Sequence, residues 1–256
     1  MRHYRYTYGS NQYSFGPGGI TPAIKGLIWT NVSVFVLITF YQPLILFLGL
    51  TPAAVFEEFW IWQPFTYLFL HGSFGHILFN MLALWMFGVQ LERLWGPRFF
   101  LRYYFITGVG AALSTLIASL LPSVFGGPVY YSITIGASGA VYGVLLAFAL
   151  YYPNVPILFF LLFPMPARYF VMIIGGIAFL MSISSTGGGT AHIAHLGGLI
   201  FGYLYLKQKS TKQGFGRGGL MAEIEYRYLK WKMNRLRRKF EVHSGEHRDD
   251  WNQPVH

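Results

Sequence analysis

The sequence predicts an all-α polytopic membrane protein with six transmembrane helices, and three observations carry that prediction. Of the 256 residues, 54% are hydrophobic and only 11% charged, where an ordinary soluble domain carries about 25% charged residues. The charges are also segregated: twelve of the 19 Lys and Arg follow Tyr205, while Ala23 to Leu206 holds only Lys25, Arg93, Arg98, Arg102 and Arg168. Between those cations the chain falls into apolar runs near the ~20 residues that one crossing requires. The formal charge of +10 then follows membrane topology, so the expected partner is the lipid bilayer and not nucleic acid. The absence of cysteine excludes a disulfide framework, a thiol nucleophile and a Cys-ligated zinc or iron–sulfur site.

Residues 1–23 read as a cytoplasmic amino-terminal segment of Tyr, Gly and Ser with Arg2 and Arg5. The apolar run behind it is too long for a signal-peptide core and lacks an obvious cleavage site, so it is read as a retained span. That first span is expected from Ile24 or Lys25 to Leu50, closed by Gly49 and Pro52. Residues 51–75 hold Glu57, Glu58, Trp60 and Trp62 without Lys or Arg, the composition of a loop lying among lipid headgroups. The second span covers Gly75 to Leu91, the polar connection Glu92–Arg98 follows, and the third span covers Phe99 to Leu121. Residues 122–137 again lack Lys and Arg. The fourth helix starts at Ser138 and runs to Tyr152, where Pro153 and Pro156 stop it. An apolar, proline-containing connection at 154–167 leads to a fifth span from Arg168 to Ser184 and, past Gly187-Gly188-Gly189, to a sixth from Ala191 to Leu206. The spanning domain is therefore 24–206, with a basic cytoplasmic tail at 207–256.

About 15 residues at 1.5 Å each make the fourth helix roughly 22 Å long, short of the roughly 30 Å hydrocarbon core. Ser138 is thus expected inside the membrane, and the non-helical residues before it must be buried against protein or line a wet cavity. With six spans and an inside amino terminus, all 19 Lys and Arg fall in or beside the inside segments. Ser138, His76, Asn80 and His195 then converge near the outer face.

Their chemistry follows from residue type. In Ile135-Gly136-Ala137-Ser138-Gly139-Ala140-Val141-Tyr142-Gly143 a serine stands between glycines at a helix start. Serine is a poor nucleophile until a base takes its proton, and glycine lets another group come close. In a membrane helix a serine more often bonds to its own backbone, whereas intramembrane histidine is costly and defaults to function. His76 and Asn80, four apart, share a helical face and both donate hydrogen bonds, as an oxyanion site or as a packing pair. Gly198 and Gly202 follow His195 as Gly139 and Gly143 follow Ser138. Two such small-residue faces can approach closely, bringing His195 toward Ser138 with Tyr142 against the imidazole. His192 lacks that alignment and reads as a supporting or solvent-side residue. There is no Asp before Asp249, so neither an aspartyl mechanism nor a Ser-His-Asp triad is available, and a serine–histidine dyad is left. No metal or cofactor motif is present.

Gly136-Ala137-Ser138-Gly139, His76-Ile77-Leu78-Phe79-Asn80, and His195 followed by Gly198 and Gly202 together resemble the rhomboid family of intramembrane serine proteases, in order and spacing over about residues 24–206. The resemblance implies a six-helix rhomboid fold with Ser138 as nucleophile and His195 as general base, then general acid. It also implies an oxyanion site from His76, Asn80 and the Ser138 N–H, with Tyr142 stacked on the catalytic imidazole. The implied substrates are transmembrane segments of single-span proteins, cut near the outer face, and the expected setting is a prokaryotic cytoplasmic membrane with both termini in the cytoplasm. A substrate helix is expected to enter beside the fifth helix, with the Gly187–Gly189 loop as lid. One departure is Trp62-Gln63, where many members carry Trp-Arg, a difference expected to touch only the loop's headgroup contacts. A non-catalytic chaperone on the same scaffold and a small transporter are the alternatives; no internal repeat favours the latter. In the tail, Met221 to Phe240 interleaves Ile224, Tyr228, Trp231 and Leu236 with basic residues, a pattern of either a solvated charged helix or an amphipathic helix on anionic lipid.

Overall fold

A computed structural model of the chain describes residues 17–121, 126–159, 163–183 and 189–212. Helix α1 (Pro22–Phe40) opens with proline at its first turn, where the missing N–H needs no partner. Its next free donors are taken by a carboxylate from elsewhere in the chain. The buried Glu92 accepts hydrogen bonds from Ala23 N at 2.9 Å, Ile24 N at 3.0 Å and the Thr21 hydroxyl. A negative group at the positive end of a helix is favourable for both hydrogen bonding and the dipole. Beside it, Arg93 donates to Pro17 O at 2.6 Å and Gly19 O at 2.9 Å. The polar connection expected at Glu92–Arg98 is therefore also the clamp for the chain leading into α1.

The first helix ends ten residues before the expected Leu50. Apolar sequence continues across Pro43, but proline supplies no N–H and restricts the residue before it, so the chain turns and starts again as α2 (Leu44–Leu48). Short helices α3 (Pro52–Glu57) and α4 (Gln63–Thr66) and a 3₁₀ turn at Tyr67–Phe69 complete this loop. Phe47, Trp60 and Trp62 pack with ring centroids 5.0 to 5.8 Å apart. Gln63, expected to bear on headgroups, is fully buried: Thr51 N donates to its Oε1 at 2.9 Å, and its Nε2 faces Leu46 O and Phe47 O at 3.3 and 3.4 Å. It ties the loop internally. Gln63→Ala strands Thr51 N and Leu46 O, while Phe47 O keeps the Trp62 indole N–H at 2.9 Å, and is expected to cost about 1–3 kcal/mol, read as a lowered Tm of the detergent-solubilised protein.

Helix α5 (Phe74–Ala83), a π-helical turn at Leu84–Gly88 and α6 (Val89–Trp95) run on as one apolar rod, followed by α7 (Pro97–Ser119) and α8 (Gly126–Tyr131). Then come α9 (Ser138–Tyr151), α10 (Ala167–Ile183) and α11 (Gly189–Lys212). Among the described residues, three stretches are long and apolar enough to cross a membrane: Pro22–Phe40, Phe74–Trp95 and Pro97–Ser119; Ser138–Tyr151 and Ala167–Met181 are apolar but shorter. Large apolar side chains such as Trp29, Phe79, Met172 and Leu180 lie exposed along these helices, a surface suited to lipid and not to water. The fourth helix begins at Ser138, as the glycine-rich approach to it implied.

The fold is mostly helical but not purely α. The connection expected to be irregular at 154–167 contains an antiparallel hairpin, β1 (Pro156–Phe159) with β2 (Phe163–Pro166). A short apolar run reads alike for strand and coil, and its prolines read as breakers. Helix α7 is the central post, burying Tyr103, Tyr104, Thr107, Gly108, Ala111 and Ala112. The chain divides into two compact units at Leu206 and Lys207; of the second, only the end of α11 is described. Gly187 and Gly188 of the expected lid, and the amphipathic segment Met221–Phe240, lie outside the described residues.

Candidate active site

The approach to Ser138 is fixed by backbone bonds to distant loops. Leu50 and Thr134 exchange hydrogen bonds at 2.9 and 2.8 Å, and Gly136 N donates to Tyr67 O at 2.9 Å. Tyr67 is itself locked, its buried hydroxyl donating to Gly108 O at 2.7 Å. Gly136 has φ +121°, and a Cβ there would lie 2.7 Å from His76 Nε2. Only glycine serves at this position, for the turn and for the imidazole that presses against it. The same point is 3.8 Å from Ser138 Oγ, so His76 and the serine hydroxyl border one small space.

His76 sits in the first turn of α5, whose cap Ser73 accepts from His76 N at 3.2 Å. Asn80 is buried one turn on and donates to His76 O at 2.9 Å. An amide nitrogen has two hydrogens, so this bond leaves one to spend elsewhere. Neither residue was expected to have a third companion, yet the buried His71 packs edge-on against His76, with ring centroids 4.9 Å apart at 68°. Burial first, and His76 second, hold His71 well below the ordinary imidazole range, at about 4, so it stays neutral and does not repel a neighbouring charge. Spacing from His76 gave no hint of it, since residues five apart share no helical face.

From the other side, α11 brings His195. Its Nε2 is 2.8 Å from Ser138 Oγ. Tyr142 stacks on the imidazole with centroids 4.2 Å apart at 6°, and His192 meets it edge-on at 5.9 Å. His195 Nδ1 is buried without a hydrogen-bond partner among the described residues. What holds the ring in place is helix contact: a Cβ on Gly198 would lie 1.9 Å from Gly139 O, and one on Gly202 would lie 3.3 Å from Gly143 Cα and 2.6 Å from Tyr103 Oη. Backbones of α9 and α11 touch along these glycines, with Tyr103 Oη donating to Gly143 O at 2.7 Å.

Chemically, a serine hydroxyl against an imidazole nitrogen can lose its proton as it attacks a carbonyl. Ser138 is also the first residue of α9, and free N–H groups at a helix start favour negative charge. The structure thus brings Ser138, His195, Tyr142, Gly136, Gly139, Gly198, Gly202 and His76 into one neighbourhood, with Asn80 bound to the His76 carbonyl.

A family model described as the Rhomboid domain matches residues 58–210. The chain is 36% identical over 145 residues to "Rhomboid protein 1, mitochondrial" of Saccharomyces cerevisiae, covering 54% of this chain and 38% of the yeast protein. It is 31% identical over 142 residues to rhomboid protease GluP of Bacillus subtilis, covering 56% of this chain and 25% of that protein. Against rhomboid protease AarA of Providencia stuartii the identity is 32% over 151 residues, covering 56% and 54%. The matches thus span well under two thirds of these relatives' own lengths, and with a mitochondrial protein beside bacterial ones they do not choose a compartment.

Proposed function

This chain belongs to the rhomboid family, an integral membrane protein of protease kin, and on that premise we propose that it is an intramembrane serine endopeptidase working through a Ser138–His195 dyad. The observation that carries the reading is the 2.8 Å contact between His195 Nε2 and Ser138 Oγ. Ser138 attacks a peptide carbonyl of a single-span membrane protein; His195 takes the serine proton, then returns it to the leaving amine, and water hydrolyses the acyl enzyme. The developing oxyanion is held by the Ser138 N–H at the α9 start, by the free amide hydrogen of Asn80 and by His76. Tyr142 and the glycine contacts orient the imidazole, a task that the aspartate of a triad performs elsewhere. Substrate enters beside α10 and unwinds near the outer end, because an intact helix hides its carbonyls in hydrogen bonds.

The wider frame belongs to the same proposal: six spans within 24–206, with α9, α10 and α11 as the last three, the 1–23 segment and the 207–256 tail on the inner side, and Ser138 near the outer face. It is supported by the placement of all 19 Lys and Arg. Fluorophosphonate labelling of the full-length protein in liposomes tests the site. Ser138 should label, His195→Ala should abolish labelling, and His192→Ala should keep most of it, since His192 touches only the imidazole edge. Equal losses at the two histidines would contradict the choice of base, and an unlabelled wild-type protein would favour the chaperone or transporter reading.

A further inference from the structure

The hairpin between α9 and α10 plays no part in that chemistry, yet its backbone carries a pattern of its own. Its register pairs Pro156 with Pro166, Ile157 with Met165, Leu158 with Pro164 and Phe159 with Phe163. The 2.9 Å bond from Ala167 N to Val155 O phases the ladder. In an antiparallel pair, hydrogen-bonded and non-hydrogen-bonded pairs alternate. The residues whose N–H and C=O point away from the partner strand are therefore 156, 158, 164 and 166. Three of those four are proline, so of the outward donors only the Leu158 N–H remains. Unpaired N–H and C=O groups both make a bare strand edge costly in hydrocarbon, and the prolines remove most of the donor half of that cost.

The side chains agree. No residue from Val155 to Pro166 carries a side-chain nitrogen or oxygen. Ile157 is buried in the core, whereas Pro156 and Pro164, on the opposite face of the ribbon, are exposed. The flanking helices say what covers that face. With 14 residues in α9 and 17 in α10, these helices are about 21 and 26 Å long, both short of the roughly 30 Å hydrocarbon thickness. Chain joining two such helices starts within or at the edge of the hydrocarbon, and polar-free sequence there meets lipid. Arg168 follows at once, exposed, its guanidinium 4.8 Å over the Tyr169 ring, a cation and an aromatic of the kind found at a membrane–water border.

We propose that this hairpin is a membrane-seated ribbon whose proline face, Pro156, Pro164 and Pro166, rests on lipid acyl chains at the border of the leaflet opposite Ser138. The Pro166 carbonyl caps the start of α10 and is taken into that helix, but the outward carbonyls of Pro156, Leu158 and Pro164 still need partners, which fixes the depth at the border, where water and headgroups reach them. The inference depends on the chain lying in a membrane and not on the chemistry of Ser138. Because the chain has no cysteine, Pro156→Cys and Pro164→Cys can each carry a single spin label in the full-length protein, reconstituted in phosphatidylcholine–phosphatidylglycerol liposomes. Collision with oxygen, which concentrates in lipid, should exceed collision with a water-soluble nickel chelate at both positions. Nickel exceeding oxygen at both overturns the proposal and leaves the prolines as a device against strand pairing alone. On the unaltered protein, a phospholipid with a photoactivatable acyl chain should crosslink within 155–166. Crosslinks in α10 but none in the hairpin would also overturn it.

Discussion

Ser138→Ala is expected to abolish cleavage of a single-span substrate in liposomes, a loss on the order of 10⁴-fold or more. The alanine removes the hydroxyl oxygen that lies 2.8 Å from His195 Nε2, and among the described residues no acidic side chain is bonded to His195 to activate water instead. His195→Ala should lose about as much, and the double variant little more, because two groups acting as one unit are not additive. The serine is half-buried at a helix start, so its replacement by alanine should leave Tm nearly unchanged, and the lost activity cannot be ascribed to unfolding. An undiminished rate in Ser138→Ala would sink the proposed mechanism and leave a non-catalytic member of the family.

Gly198→Ala is expected to lower kcat by roughly 100-fold, the scale on which about 1 Å of misplacement acts. The added Cβ would fall 1.9 Å from Gly139 O. That neighbour is backbone and cannot rotate aside, so α11 must move away from α9 and carry His195 off the serine. Gly26→Ala is the matched control, since a Cβ there meets nothing within 4 Å. Gly202→Ala should be milder than Gly198→Ala, because its closest obstacle is the hydroxyl end of Tyr103 at 2.6 Å. Turnover of Gly198→Ala is measured in the same liposome assay, and full activity would mean that the glycine contact does not set the position of His195.

The sequence revealed those features whose physics is local. A serine among glycines marks a helix start whatever surrounds it, so the first residue of α9 could be read directly. The glycine spacing on α9 and α11 pointed to a close approach because small residues at one helical period leave a flat face. Features set by distant partners could not be read. Gln63 looks like any loop residue until Thr51 N and the carbonyls of Leu46 and Phe47 close around it. His71 matters only because folding buries it beside His76. Hydropathy carried the first span across Pro43, since apolar residues on both sides hide a break in the backbone. It equally hid the hairpin, whose meaning lies in which proline faces which strand.

The bond between Ser138 and His195 joins residues 57 positions apart, and the histidine lies on α11, the last described helix. A chain emerging from the ribosome delivers His71, His76 and Asn80 first, the serine next and the base at the end. Until α11 arrives, the hydroxyl lacks the His195 nitrogen and the small-residue face along Gly139 and Gly143 lacks the helix that packs on it. On the proposed mechanism the dyad is therefore complete only once α11 has packed against α9, so the helices before it emerge while the serine still lacks its base.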